Sequence, residues 1–482
     1  MDAAIAEAER AANLASAAAP SPRDAFANAL PDGCVLADEH RALYETDMLR
    51  HGGTAGLVAL PRSTDELSTI ARAAFTHRIA LVAQGERTGL SGAAVPDRSG
   101  AQCVVSLRRM NRVRAFDPMN RSITVDAGMR LSEINRHAAS AGLCLPIDLG
   151  SDPSAGGLVG ANAGGSRLIK YGDVRRNVLG IEAVLADAHG TVLDLLAPLR
   201  KNNAGLDLKQ LFIGANGANG IVSAVSFALA PIERSSHSVL LAFASNDAAT
   251  HALSAFEAAF GELLSAYEFI SATSMQCVLR SLRDTQVPFP GIDVACYALV
   301  EITSGMPGLD ALFETRSLEV TGALLDDGTL IDAAIASSER FWRIRDHLPL
   351  AVAEDALPLS FDVSLPRGAL AAFLDATARW MADAHPRLRY YEFGHFGDGG
   401  CHVIVAIPPD ALSRYGAVRQ IALRAELYER VRRAGGSFSA EHGVGPVNHA
   451  FYKRFTASST RAASAVVQDA LDARALIGRV RY

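Results

Sequence analysis

The stretch GSDPSAGGLVGANAGG, residues 150–165, decides how the chain is expected to fold, and QGERTGLSGAAVP, residues 84–96, repeats its glycine-rich character. Glycines at strand ends let backbone N–H groups approach a phosphate or an aromatic ring closely. Neither stretch is a G-x-G-x-x-G sequence that opens a helix, and neither is a P-loop. A single stretch of this kind would be interpreted as a tight turn. Two so close in the chain favour a large anionic cofactor over turns alone.

The sequence around these stretches alternates between strands and helices from about residue 55 to 235. GLVALP (56–61) and IALVAQG (79–85) have the composition of buried strands, and residues 67–76 between them have helical periodicity. Ser63 stands where a helix N-cap is expected. The pattern from 236 to 430 differs and indicates an α+β region. It contains predicted helices at 246–266, 309–320 and 369–384 and predicted strands at 294–302, 359–365 and 388–407.

Composition narrows the class of protein. The 482 residues are 49% hydrophobic and 20% charged with a net charge of −6, which argues against a general nucleic-acid binder. Six cysteines without a C-x-x-C pair favour a reducing compartment, so a cytoplasmic location is expected. No apolar run reaches the length of a membrane span. The alanine-rich residues 1–22 are expected to form a flexible tail, helical up to Pro20.

A pair of histidines lies within GHFGDGGCHVIV, residues 394–405. Residues 388–396 and 401–407 are predicted strands, and Asp398-Gly399 between them is typical of a two-residue type I′ turn. That register places His395 directly opposite His402, with Cβ atoms roughly 5 Å apart, so that both imidazoles can share one ion. The alternative is that one histidine is buried and hydrogen-bonded while the other is solvated.

Ordered motifs across residues 40–445 resemble the flavin-dependent D-2-hydroxyacid dehydrogenases, which include D-lactate, glycolate and D-2-hydroxyglutarate dehydrogenases. The motifs are SITVDAGMRLSEIN (122–135), the run from LPIDLG to VLAD (145–187), LRKNNAGLDLKQLFIGANGANGI (199–221), FDVSLP (361–366), GHFGDGGCH (394–402) and AEHGVG (440–445). The resemblance implies an α+β fold: an FAD-binding domain of the PCMH or vanillyl-alcohol-oxidase type, and an α+β substrate (cap) domain with an antiparallel sheet. The implied division is a tail at 1–22, the FAD domain at 23–235, the substrate domain at 236–430 and a segment completing the active site at 431–482.

The resemblance also implies which residues hold the flavin. FAD would be bound by Gly85, Glu86, Arg87, Thr88, Gly89, Ser154, Gly157, Asn162, Gly164, Gly165, Gly220 and Ile221. Some relatives attach the flavin covalently through a histidine of the first loop. This loop contains no histidine, so the FAD is expected to be non-covalent.

By the same resemblance, His395, His402 and Glu441 would bind a divalent cation. Two imidazoles and a carboxylate with open positions suit Zn²⁺, Mn²⁺ or Fe²⁺. His442 would be the general base that contacts the substrate, and Arg345 would grip the substrate carboxylate. The alternative for Arg345 is a surface ion pair with Asp346 or another neighbour.

Several positions depart from the family pattern. Gly400 and Ile404 replace two asparagines beside the second histidine. Ser360 and Pro349 stand where hydroxyglutarate enzymes carry a lysine and a threonine that clamp the distal carboxylate. Asn216 replaces an acidic residue, and the C-terminal residues 471–482 also differ.

These departures have two consequences. A monocarboxylate with a short or apolar tail is expected in preference to 2-hydroxyglutarate. A weakly catalytic or non-catalytic FAD-binding subunit of a larger complex stays open as an alternative.

The expected electron acceptor is a quinone, an electron-transferring flavoprotein or a cytochrome. A nicotinamide is not expected, because no dinucleotide fingerprint is present, and a homodimer stays open.

Overall fold

The computed structural model describes residues 21–285, 289–335 and 338–482. The predicted tail lies almost wholly outside these residues, and the first described helix, α1, spans Pro22–Asn28 with Ser21 as its N-cap. No helix in the described ranges combines the length and the apolar character needed to cross a bilayer.

The first half of the chain forms a parallel sheet and an antiparallel sheet. Its strands are β1 (Leu57–Ala59), β2 (Leu81–Gln84), β3 (Cys103–Ser106), β4 (Val113–Asp117), β5 (Ser122–Asp126), β6 (Leu143–Cys144), β7 (Val178–Val184), β8 (Val192–Leu195), β9 (Ile221–Ala228) and β10 (Ala230–Pro231). The three-stranded sheet has the order β1-β3-β2 and is parallel, whereas the five-stranded sheet has the order β4-β5-β9-β7-β8 and is antiparallel. Strands β6 and β10 form a separate pair.

Short helices connect these strands: α2 (Thr64–His77), α3 (Leu131–Ala139), α4 (Ala155–Ala161), α5 (Leu168–Tyr171) and α6 (Val174–Asn177). Helix α2 begins as predicted, because Ser63 Oγ accepts the N–H of Glu66 at 3.2 Å. Leu67 and Ile70 lie on its buried face. Leu67 and Ile70 therefore anchor α2 to the core. Strand β2, which follows α2, leads into the first glycine-rich stretch.

The second half is built on one seven-stranded antiparallel sheet. Its strands are β11 (Ser235–Phe243), β12 (Leu264–Ser271), β13 (Cys296–Ser304), β14 (Asp332–Ile335), β15 (Leu357–Ser364), β16 (Arg389–Gly394) and β17 (Gly400–Ile407), in the order β14-β11-β13-β12-β16-β17-β15. The helices of this half are α7 (Asn246–Phe260), α8 (Ala272–Ser281), α9 (Asp310–Asp326), α10 (Ser338–Asp355), α11 (Arg367–Ala384), α12 (Ala417–Arg433), α13 (Gly445–Phe455) and α14 (Ser458–Leu471).

The seven-stranded sheet has two apolar faces, each covered by helices. Helices α7, α11 and α12 pack on one face through Phe256, Leu370 and Leu427. Helices α8 and α10 pack on the other through Met275 and Ile344. Because side chains alternate along a strand, every charged residue in β15, β16 or β17 is assigned to one face or the other.

Two sequence predictions differ from the structure. The helix predicted at 246–266 ends at Phe260, because Gly261 adopts a positive φ of 53° and β12 begins at Leu264. The predicted hairpin register is also wrong, since His402 pairs with Phe393 rather than with His395. A type I′ turn needs two residues with positive φ, and only Gly399 has one. A 3₁₀ turn over Phe396–Asp398 therefore replaces it.

Candidate active site

A cleft of about 1320 Å³ opens between the two glycine-rich stretches. Most of the residues predicted to bind the cofactor line it: Gly85, Glu86, Arg87, Thr88, Gly89, Ser154, Gly157, Gly164 and Gly220. Three others lie behind the wall. Asn162 ends helix α4 and donates its side-chain amide to Asp173, Gly165 packs against the backbone of Asp148, and Ile221 is fully buried.

The two stretches touch each other at the floor of the cleft. A Cβ added to Gly85 would lie 2.1 Å from Ser154 Oγ, so only glycine fits there. Ser154 caps helix α4 and accepts the N–H of Gly157 at 3.3 Å. The stretch 150–165 therefore contains a short capped helix and is not only a loop at a strand end.

The cleft suits a large planar cofactor with an anionic group. A Cβ placed on Gly89 would meet nothing within 4 Å, so the backbone here faces the open space of the cleft. Backbone N–H groups in such a position can bind phosphate oxygens without a side chain in the way. The residues present thus fit a dinucleotide cofactor in this position.

Asn216, one of the departures noted above, lies where three parts of the chain meet. It lines the cleft, and its Nδ2 is 3.5 Å from the hydroxyl of the C-terminal residue Tyr482. A Cβ on Gly443 would lie 2.6 Å from the same Nδ2. Tyr482, which belongs to the C-terminal residues that depart from the family pattern, therefore lies next to the cleft.

Three histidines converge on one carboxylate oxygen. The Nε2 atoms of His395, His402 and His442 lie 3.9, 3.5 and 3.8 Å from Glu441 Oε1. The rings of His395 and His402 are 5.3 Å apart, although the two residues are not paired in the sheet, because the 3₁₀ turn carries His395 back over β17. Burial, followed by the positive charges of His395 and Arg345, holds the pKa of His402 well below its ordinary value. Its imidazole is therefore neutral, the form that binds a metal.

Asp362 holds the segment that carries Glu441 and His442. Its Oδ2 accepts the backbone N–H of both residues at 2.8 Å and lies 3.7 Å from His442 Nδ1. Asp362 pairs with His402 across β15 and β17, which fixes it at the site. Donor atoms of Asp362, His402, Glu441 and His442 lie within 4.8 Å of one another. The sequence prediction missed Asp362, although a charged residue in the apolar run of β15 was its signal.

Glu268 of β12 joins the two remaining predicted residues and was also missed. It is fully buried, and it accepts hydrogen bonds from Arg345 Nε at 2.5 Å and from His395 Nδ1 at 2.7 Å. Burial alone would raise the pKa of Glu268, but His395 and Arg345 outweigh it and lower the pKa to about 2. Burial likewise opposes the charge on His395, and Glu268 overcomes it and raises that pKa to about 9. Arg345 thus forms a buried ion pair and also stacks on Phe393.

The cofactor cleft and the histidine cluster form one continuous site. Glu441 and His442 line the same cleft as the glycine-rich stretches. A Cβ on Gly164 would stand 3.5 Å from Glu441 Oε2, so the second stretch almost touches the carboxylate of the cluster. A substrate bound at the cluster would therefore face the cofactor.

Two family models match the chain. An FAD binding domain matches residues 55–195, and the C-terminal domain of FAD linked oxidases matches residues 232–478. A probable mitochondrial D-2-hydroxyglutarate dehydrogenase of Oryza sativa subsp. indica is 34% identical over 432 residues, covering 87% of this chain and 74% of that protein. A D-2-hydroxyglutarate dehydrogenase of Xanthomonas citri pv. viticola is 34% identical over 401 residues, covering 82% of each.

The fold is also found in a solved structure. A 4-ethylphenol oxidase from Gulosibacter chungangensis superposes with a TM-score of 0.71 at 19% identity over 95% of both chains, a level that shows the fold alone. The predicted fold, with its PCMH-type FAD-binding domain, is confirmed. The protein is an FAD-binding oxidoreductase that acts on the CH–OH group of a hydroxy acid. It belongs to the family of FAD-linked D-2-hydroxyacid dehydrogenases.

Proposed function

We propose that the protein oxidises a D-2-hydroxy monocarboxylic acid to the 2-oxo acid, with His442 as the base and a divalent cation held by His395, His402 and Glu441. The observation that carries the proposal is the position of Glu441 and His442, which belong both to the histidine cluster and to the wall of the FAD cleft. A proton acceptor and a hydride acceptor would then lie on two sides of one substrate.

His442 is suited to take the proton of the substrate hydroxyl. Its Nδ1 is 3.7 Å from Asp362 Oδ2, and its backbone N–H is bound by the same oxygen, so the ring's position is fixed. Nε2 then faces the cluster. Imidazole is an effective base near neutral pH, and a positioned base contributes roughly 10²- to 10⁴-fold to the rate. FAD, when bound, supplies the acceptor for the hydride from C2.

The donor set supports a divalent cation next to this base. The neutral His402, the carboxylate of Glu441 and the Nε2 of His395 converge, and Glu268 orients His395 through the other ring nitrogen. His395, whose pKa is raised to about 9, would release its Nε2 proton when the cation binds. Such a carboxylate behind a ligating histidine is typical of metal sites in proteins. The cation would supply Lewis acidity to the α-hydroxyl group. Zinc, manganese and iron all suit this ligand set.

Arg345 is the proposed partner of the substrate carboxylate. Only its Nε makes a hydrogen bond within the described residues, which leaves the Nη groups for a ligand. The ion pair with Glu268 also fixes the plane of the guanidinium. A planar, oriented guanidinium binds a carboxylate through two parallel hydrogen bonds.

The proposed preference for a monocarboxylate rests on Ser360 and Pro349. The relatives from rice and Xanthomonas are named for 2-hydroxyglutarate, which has a second carboxylate. Ser360 is exposed and lies on the same face of β15 as Asp362, and Pro349 is exposed on α10. Neither side chain carries a charge. A distal carboxylate without a cationic partner would lose about 1.5–3 kcal/mol of binding energy.

The acceptor that reoxidises the flavin is proposed to be a quinone, an electron-transferring flavoprotein or a cytochrome. The proposed location is the cytoplasm. It rests on the six cysteines, all of which lie in the described residues as free thiols. The relative from rice is named as mitochondrial.

An anaerobic half-reaction tests the function. The FAD-loaded, metal-supplemented protein is mixed with D- and L-lactate, glycolate, and D- and L-2-hydroxyglutarate, and the flavin absorption is followed. We expect rapid bleaching by a D-monocarboxylate, slowed at least roughly 100-fold in His442→Asn and slowed again by a chelator. His137→Asn, an exposed histidine on α3, is the matched control. A flavin band that no acid bleaches would overturn the proposal and favour the non-catalytic subunit.

A further inference from the structure

Arg167 joins the flavin-binding half of the chain to the substrate half. It is the N-cap residue of α5 and follows the second glycine-rich stretch, which ends at Gly165. Its Nε and Nη2 donate to the two carboxylate oxygens of Glu301 on β13, at 2.6 and 3.0 Å, and its Nη1 donates to Asp148 of the flavin-binding half. Two parallel bonds to one carboxylate fix both the distance and the orientation of the guanidinium. A single side chain therefore holds a carboxylate of each half.

Glu301 is also bonded to the helix that carries the proposed substrate arginine. Its side chain is only 2% exposed, and its Oε1 accepts the indole N–H of Trp342 on α10 at 2.9 Å. The Cζ of Arg167 lies 5.3 Å from the centre of the Trp342 ring. Trp342 stands three residues before Arg345, so the two are neighbours on the surface of α10. The position of Arg345 relative to the flavin-binding half therefore depends on the contact between Arg167, Glu301 and Trp342.

The pair of Arg167 and Glu301 is ionised. Burial would raise the pKa of Glu301, but Arg167, together with hydrogen bonds from Ser265 and Trp342, holds it below its ordinary value. Burial likewise opposes the charge on Arg167, and the carboxylate of Glu301 outweighs it and raises that pKa. Apolar side chains of the same volume would stabilise the fold at least as well as a buried ion pair. What the pair adds is a fixed geometry between the two halves.

Arg167 acts outside the cofactor cleft. Among the described residues, those that line the cleft reach Gly164 in this part of the chain and do not include Arg167. Arg345 is held within its own half by Glu268 on β12. Loss of the Arg167 side chain should therefore leave the FAD contacts and the carboxylate contacts in place, but it should allow the two halves to shift relative to each other.

We propose that Arg167 is a positioning residue, which sets the distance between the bound flavin and C2 of the substrate by holding the second glycine-rich stretch and α10 on Glu301. The inference rests on the proposed function, because it assigns Arg167 to the same oxidation. Hydride transfer requires the donor carbon and the flavin in close contact, and a displacement of about 1 Å can slow a reaction roughly 100-fold. Affinity, in contrast, depends on contacts made inside each half.

Anaerobic flavin reduction at increasing substrate concentration tests this role in the FAD-loaded, metal-supplemented protein. The substrate is whichever of D-lactate and glycolate reduces the wild type faster. We expect the limiting rate to fall roughly 10- to 100-fold in Arg167→Met, while the concentration that gives half of this rate changes by less than about threefold. Arg167→Lys, which keeps the positive charge, should show a smaller loss of the same kind. FAD affinity should not change in either variant.

Lys170→Met is the matched control. Lys170 belongs to the same helix and also reaches β13, where its Nζ donates to the carbonyl and hydroxyl oxygens of Thr303 at 2.7 and 2.5 Å. Its hydrogen bonds within the described residues do not extend to α10. Both methionine variants should lose stability, whereas only Arg167→Met should lose limiting rate.

The outcomes separate this inference from the proposed function. A partly unfolded population lowers the amplitude of flavin bleaching and not its rate, so a lower rate at full amplitude supports the positioning role. Substrate deuterated at C2 should slow Arg167→Met at least as strongly as the wild type, because hydride transfer is the affected step. An unchanged limiting rate in Arg167→Met, or an equal loss in Lys170→Met, would overturn the inference and leave the proposed function intact. A wild type that no acid bleaches would overturn both.

Discussion

Glu268 Oε1 lies 2.7 Å from His395 Nδ1, deep between the sheet and helix α10. Its other oxygen accepts the Nε of Arg345. One buried carboxylate therefore fixes both the predicted metal ligand and the predicted substrate arginine. Neither side chain can be displaced without disturbing the other.

Replacing Glu268 with glutamine should distinguish its role in orienting His395 and Arg345 from its contribution to the stability of the fold. We expect metal affinity to fall roughly 10- to 100-fold, because an amide orients His395 less firmly, and KM to rise because Arg345 is no longer fixed. Titration of the metal-free protein measures the first effect and anaerobic flavin reduction the second. Glu301→Gln is the matched control, because Glu301 lies on the neighbouring strand β13 and forms a buried pair with Arg167.

Both variants should lose stability, since breaking a buried ion pair costs about 3–5 kcal/mol. Only Glu268→Gln should weaken metal binding. Equal metal affinity in the two variants would contradict the orienting role of Glu268.

Alanine at Gly89 tests the close approach of FAD to the first glycine-rich stretch. A methyl group there meets no protein atom within 4 Å, so the thermal stability of the FAD-free protein should not change. FAD affinity should fall by about tenfold or more, a loss of at least 1.4 kcal/mol. Flavin fluorescence titration measures it. Gly368→Ala on α11, equally free of contacts, should leave the FAD affinity unchanged. Unchanged FAD affinity in Gly89→Ala would argue against this approach.

Lysine at Ser360 should shift the substrate preference towards 2-hydroxyglutarate. The position is exposed on the site face of β15, and a cation there can pair with a distal carboxylate. A charged hydrogen bond contributes about 1.5–3 kcal/mol, so kcat/KM for D-2-hydroxyglutarate should rise about ten- to a hundredfold relative to D-lactate. Ser360→Gln, of similar length without charge, is the control. A wild type that already prefers D-2-hydroxyglutarate would contradict the proposed specificity.

The stability of the ligand-free protein should depend on pH through Glu392. Its pKa is raised from 4.5 to about 8, so the protonated native form stabilises the fold below pH 4.5, and this contribution is lost as the pH rises through about 8. Glu392→Gln stays neutral throughout. As the pH rises from 4.5 to about 8, the unfolding free energy of Glu392→Gln should therefore increase relative to that of the wild type by up to about 1.4 kcal/mol per pH unit.

Urea unfolding between pH 5 and 9 measures this difference. The exposed variant Glu262→Gln should follow the wild-type curve. Parallel curves for Glu392→Gln and the wild type would show that Glu392 is not held in its neutral form.

The sequence predicted the fold well because its signals are local. Ser63 caps α2 through its own hydroxyl, and the strands around it follow from runs of buried apolar residues. The hairpin failed because Asp398-Gly399 has the composition of a two-residue turn, while Asp398 uses its side chain to bind the N–H of Gly400 at 2.7 Å and stays at negative φ. The preference between these two turns is too small to be read from composition.

The sequence predicted the site residues that stand in short motifs, and it missed the residues that hold those side chains in place. His395, His402, Glu441 and His442 stand in motifs with a recognisable spacing, and the structure brings them together. Glu268 and Asp362 are single charged residues in apolar strands, 77 and 80 residues from partners that only the tertiary fold supplies. A buried charge indicates that a partner exists, but sequence alone does not say which.

The last residues of the chain complete the first sheet. Leu81 at the start of β2 donates its N–H to Leu476 and forms a parallel bridge with Ile477, and both C-terminal residues belong to the core of the first half. Strand β2 leads directly into the first glycine-rich stretch. During synthesis, the flavin-binding half therefore waits for Leu476 and Ile477, which are made after the substrate half. The nascent protein cannot finish its cofactor site before the substrate half has been made.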